Sequence, residues 1–138
     1  MPRVQFDELT LGEEQLMFWE GLPFSGVAFE TFPHGHLASE SECVEGLIEG
    51  LSRTWNESGV LVDEARHWSG VRHGPARSWD EEGRLRAETV YEYGILVSEQ
   101  RWDENGVRVG GWRIGPDDNL FRILELNRAK FGGRAPAV

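Results

Sequence analysis

The side chains of this chain that can do chemistry are four histidines, one cysteine and a spaced set of glutamates. His34 and His36 flank Gly35, and a His-x-His pair can offer two imidazole nitrogens to one metal ion. The sequence sets no third ligand beside them, so they read as loop residues, and no metal or other cofactor is expected. Glu40, Glu64 and Glu88 recur at intervals of 24 residues. Paired carboxylates hydrolyse glycosides when about 5–9.5 Å apart. On every second strand of a sheet these glutamates would stand about 10 Å apart. They read more simply as a solvated or cross-strand-paired row. Cys43 cannot form an internal disulfide and reads as a small strand residue of a reduced protein. His67, beside Trp68, reads as a satisfied strand histidine, and His73 falls in a loop between copies. Neither a Gly-rich phosphate loop opening a helix nor a serine nucleophile elbow is present, so no catalytic residue is assigned and the balance is against an enzyme. A small enzyme or small-molecule binder would need a closed pocket lined by His67, Glu64 or Tyr91.

The aromatic residues point elsewhere. Trp55, Trp79 and Trp102 form a column, and Arg53 and Arg77 precede the first two by two residues, making an Arg-x-Trp stripe. At about 10 Å the tryptophans cannot stack on one another, because ring pairs prefer 4.5–7 Å. They either pack the sheet face or form an exposed strip that anchors a partner, since binding hot spots favour Trp, Tyr and Arg. The candidate partner-binding residues are therefore Arg53, Trp55, Arg77, Trp79 and Trp102, with Glu40, Glu64 and Glu88 beside them.

These residues are positioned by a repeat. Gly26, Gly50 and Gly74 are 24 residues apart, as are Gly35, Gly59 and Gly83, and Gly46, Gly70 and Gly94. Leu37, Leu61 and Leu85 each follow the middle glycine by two residues. A fourth copy from Ser98 places its turn glycine, Gly106, one residue early. Each copy has a short arm, a loop rich in Asn, Asp, Pro and Gly, and a longer alternating arm, the pattern of a β-hairpin. Loops such as Glu45–Gly50 and Ser69–Gly74 are expected to join the copies. The prediction is a mainly β fold: an antiparallel up-and-down meander of about eight or more strands in one elongated sheet.

Two flanks lie outside the array, which spans residues 26–110. In residues 1–25 an acidic lead precedes Leu16-Met17-Phe18-Trp19, a strand-like run expected to cap the first sheet edge. In residues 111–138, Asp117 or Asp118 is a good N-cap for a short helix with Leu120, Ile123, Leu124 and Phe131 at helical spacing, stopped by Gly132-Gly133. The last residues read as a loose tail. All three segments are expected to make one domain.

The segments Pro23-Phe24-Ser25-Gly26-Val27-Ala28 and Phe32-Pro33-His34-Gly35-His36-Leu37-Ala38-Ser39-Glu40, with the later Trp-to-Gly-x-Leu units, resemble MORN-type repeats. The variant they are most similar to is the bacterial one of YwqK-like antitoxin proteins. The likeness runs from about residue 15 to 110. It implies hairpin-repeat architecture and an antitoxin or immunity protein that neutralises a toxin by occlusion. Thr31 stands where the next copies have Trp, and the fourth copy breaks down after Gly110, as terminal repeats do.

Charge adds the partner's sign. The net charge is −10, with 13 acids and 2 bases in residues 1–64 against 11 acids and 12 bases in residues 65–138. An acidic half favours a basic protein partner, a basic toxin under this resemblance, and disfavours nucleic acid and anionic lipid. No apolar run approaches the roughly 20 residues of a membrane span, and the acidic N-terminus lacks a signal core, so a cytoplasmic protein is expected. A scaffold module that self-associates is the second class of function, and the small enzyme the third.

Overall fold

Side-chain turns start the hairpins. Asn56, Asp80 and Asp103 each accept, through Oδ1, the backbone N–H groups two and four residues on, at 2.9–3.0 Å. Gly59 then closes the second turn in the left-handed region, at φ 86°, its N–H donating to Asn56 O at 3.0 Å. The joints between copies are tighter than expected. Glu45-Gly46, Ser69-Gly70 and Tyr93-Gly94 carry positive φ at both residues, the two-residue turn whose twist matches that of its strands. Strand therefore resumes at Leu47, Val71 and Ile95, and Gly50 and Gly74 lie within strands, where the register shifts, rather than in loops.

The computed structural model describes residues 1–138. Its strands are β1 (Arg3–Gln5), β2 (Thr10–Leu11), β3 (Met17–Trp19), β4 (Leu22–Pro23), β5 (Gly26–Thr31), β6 (Leu37–Val44), β7 (Leu47–Trp55), β8 (Leu61–Trp68), β9 (Val71–Trp79), β10 (Leu85–Glu92), β11 (Ile95–Trp102) and β12 (Arg108–Arg113). One helix, α1 (Phe121–Phe131), follows. Strands β5 to β12 form an antiparallel meander in chain order, as the repeat predicts, and β1 extends it to nine strands. No helix is long and apolar enough to cross a membrane.

The first edge is covered differently from the expectation. It is β1 that pairs with β5, in parallel, through Arg3↔Val27, Val4↔Ala28 and Gln5↔Phe29. The run ending in Trp19 is instead the middle strand of a second sheet, β2-β3-β4. Its hairpin turns at Glu20-Gly21, both with positive φ, the same turn that joins the copies. This sheet seats on the first two repeats: Met17 and Phe24 pack with Val4, Ala28 and Cys43, and Trp19 meets Phe24 edge to face at 6.0 Å. Backbone bonds lock the seat, from Met17 N–H to Gly46 O at 3.0 Å and from Gly46 N–H to Phe24 O at 2.8 Å.

At the other end α1 buries Leu124 completely against Ile95 and Val97. Arg128 grips Glu92 with two bonds, Nε to Oε1 at 2.9 Å and Nη2 to Oε2 at 2.7 Å. Neither Asp117 nor Asp118 caps the helix. Asp118 Oδ2 accepts the Gly115 N–H at 2.6 Å, which tightens the preceding turn, and the N-cap falls to Leu120 without a side-chain bond. The tail is tied down. His73 Nδ1 accepts the Tyr93 N–H at 3.0 Å, so its other nitrogen, Nε2, carries the proton donated to Pro136 O at 2.9 Å.

Gly46 and Gly59 separate turn strain from seating. Both have φ near 85°, at 85° and 86°. A Cβ on Gly46 would lie 2.9 Å from Met17 O, whereas one on Gly59 meets nothing within 4 Å. In urea denaturation Gly59→Ala should cost about 1–2 kcal/mol, from backbone strain alone. Gly46→Ala should cost clearly more, because the N-terminal sheet must also shift. Equal losses would show that the N-terminal sheet does not depend on this turn.

Candidate protein-binding face

Paired residues on neighbouring strands share a face. The pairs Phe29↔Glu40, Glu40↔Arg53, Arg53↔Glu64, Glu64↔Arg77, Arg77↔Glu88 and Glu88↔Gln100 therefore draw one row from β5 to β11. The Glu column and the Arg column of the repeat are a single ladder of alternating charge. Within each hairpin the pair closes, Arg53 Nε to Glu64 Oε2 at 2.8 Å and Arg77 Nε to Glu88 Oε2 at 3.3 Å. Glu40 has no arginine in its own hairpin and takes Arg3 from β1 at 3.2 Å. The bond from Glu64 holds the Arg53 guanidinium above its ordinary value, and the charges of Glu40 and Glu42 add to this.

Two residues further along each strand, on the same face, lies a second row. It contains the cross-strand pairs Thr31↔Leu37, Trp55↔Leu61, Trp79↔Leu85 and Trp102↔Arg108. The three tryptophans are half-buried. All eight residues singled out from the sequence thus fall on one face, in two adjacent rows. The reverse face carries small side chains. Its row Ala28, Ser41, Ser52, Ala65, Ala76, Thr89 includes a Ser41–Ser52 hydroxyl bond of 2.8 Å. Large groups on the reverse face lie outside this stretch of small side chains, as Trp112 of β12 does opposite Glu99, whereas the ladder face carries its tryptophans as a row.

The remaining candidates do not converge. The His34 and His36 rings meet edge to face at 4.6 Å, and His34 Nδ1 accepts the His36 N–H at 3.3 Å, occupying a nitrogen a metal would need. Cys43 is buried, and burial pushes its thiol up, away from reactivity. His67, Glu64 and Tyr91 line no common cavity: Glu64 belongs to the ladder, Tyr91 lies under the Arg72 guanidinium at 5.3 Å, and His67 faces Gly50 and Arg72. A concavity of about 690 Å³ lies between the tail and β9–β11 beside His73, Tyr93 and Arg113. Sequence reasoning passed over the aromatic cluster there, Trp68, His73, Tyr93 and Phe131, because α1 supplies one of its members across the fold.

His67 is not the satisfied histidine expected. Its Nδ1 is buried without a hydrogen-bond partner, and burial, aided by Arg72, lowers its pKa below the ordinary 6.5. The unfolded chain therefore binds this proton first as pH falls, so His67 costs stability progressively from pH 6.5 down to its folded value. His67→Gln should flatten the stability loss between neutral pH and mildly acidic pH, measured by denaturant titration beside the parent. A second expectation concerns the ladder. A double-mutant cycle of Arg53→Ala and Glu64→Ala should give a coupling of about 0.5 kcal/mol, because both groups are partly exposed. A coupling of zero would mean the row is a solvated face without pairing.

No family model matches the chain. It is 39% identical over 108 residues to the immunity protein YwqK of Bacillus subtilis (strain 168), an alignment spanning 78% of this chain and 70% of that protein. Among solved structures, a chain of the accessory secretory protein 1, 2 and 3 structure of Streptococcus pneumoniae is similar at 13% identity and a TM-score of 0.41. That similarity covers 79% of this chain and 20% of the other. With MORN-type hairpins throughout and more than a third of the aligned residues identical, this chain belongs to the family of YwqK-like immunity proteins.

Proposed function

We propose that this chain is a non-enzymatic immunity protein that acts in the cytoplasm by binding a toxic protein partner and occluding it. The observation that carries the reading is the tryptophan row. Trp55, Trp79 and Trp102 stand half-buried in one row on the ladder face, beside arginines and glutamates that already satisfy one another. A neutralised ladder costs less to desolvate than free charges, so a partner can press on it while the indole rings supply contact area. Residues 1–138 act as one domain, with the N-terminal cap and the α1 segment closing the two ends of the array.

A basic toxin fits the electrostatics. Both bases of residues 1–64 are taken by Glu40 and Glu64, which leaves eleven of the thirteen acids in that half without an ion pair. That surplus draws a cationic partner to the N-terminal end and speeds encounter. The test is co-expression with the product of the neighbouring gene, scored by relief of toxicity and by co-purification. Trp79→Ala should weaken the complex by about 2 kcal/mol or more, roughly thirtyfold in Kd. Trp112→Ala, on the reverse face opposite Glu99, should leave it within about twofold. Full binding by the Trp79 variant would exclude this face.

A further inference from the structure

The N-terminal sheet and the first two inter-copy turns enclose an apolar groove that the ladder does not use. Its walls are Phe6, Leu9, Leu11, Met17, Leu47 and Ile48, and its volume is about 290 Å³. That is at the lower limit of small-molecule sites, and it suits an anchoring side chain better than a cofactor. Phe6 is 42% exposed and Leu11 63%, so the apolar surface is open to a partner.

The chain segments that line the groove carry charge of one sign. Asp7, Glu8, Glu14, Glu45 and Glu49 are each chain neighbours of residues lining the groove, and no lysine or arginine is. None of the five is in an ion pair, and only Glu49 makes a local bond, accepting the Ser69 N–H at 2.6 Å. An apolar slot formed by segments whose carboxylates are uncompensated is complementary to a leucine or phenylalanine flanked by lysine or arginine. It rejects an acidic segment, and it rejects a second copy of this acidic N-terminal end.

We propose that this groove receives a basic, apolar-anchored peptide segment of the protein partner. The inference rests on the protein-binding reading above and adds a second contact, separate from the tryptophan row. The test uses two synthetic peptides, KRLFRK and its acidic counterpart EELFEE, titrated into the ¹⁵N-labelled full chain. KRLFRK should shift the amides of Leu11, Gly46 and Gly70 and leave those of Trp55 and Trp79 unmoved, and EELFEE should shift none. The exposed double variant Glu8→Lys/Glu14→Lys should weaken KRLFRK binding about fivefold or more, as should added salt. Equal binding of both peptides, shifts confined to the ladder face, or no shift would overturn the proposal. The co-expression assay keeps the two readings apart. If Trp79→Ala loses the partner and the groove variant retains it at full strength, the protein-binding reading stands and this inference fails.

Discussion

The two-residue turn with positive φ at both positions is the constraint on which the rest depends. A β-pairing that slips by one residue moves every side chain to the opposite face. In this chain the turns at Glu45-Gly46, Ser69-Gly70 and Tyr93-Gly94 leave no slack, so every copy enters the sheet at the same phase. That phase is what converts residues 24 apart into rows. Arg53 and Glu64 meet across the hairpin that Asn56 turns, Trp79 falls beside Leu85 across the one that Asp80 turns, and the two-residue joints set one hairpin against the next, as in Glu64↔Arg77.

A single sheet has little interior, and only 14 of the 138 residues are buried. The apolar clusters therefore sit at the ends, where a second layer exists. At the start, the small sheet brings Met17 and Phe24 onto Ala28 and Cys43, and at the finish α1 brings Leu124 onto Ile95 and Val97. The middle copies rely on backbone pairing and on cross-strand partners such as the ladder. This division leaves the middle of the face free to contact another molecule, while the caps protect the parts that would otherwise expose apolar surface.

The ladder also decides where the charge acts. Arginines from the repeat meet glutamates from the repeat, so the array is close to neutral on that face. The excess acid is left at the N-terminal end and on the exposed turns. Two kinds of surface result: a large, neutralised, aromatic face, and an apolar groove formed by segments that carry uncompensated acid. The first suits area and packing, the second steering and selectivity by sign.

The sequence alone determined the architecture and the chief candidate residues, because glycine spacing and alternation are local properties that survive in one dimension. The meander, the hairpins, the C-terminal helix and the common 24-residue phase of Glu40, Glu64 and Glu88 were all legible there. Pairing between columns was not, since it depends on register across two strands. The second sheet escaped notice although Glu20-Gly21 repeats the turn of Glu45-Gly46, because its strands are two or three residues long and too short for periodicity. The missing helix cap, the unpartnered His67 nitrogen and the tail bonded to His73 were decided only by the tertiary structure. Each depends on which distant group occupies the neighbouring space, and no spacing along the chain encodes that.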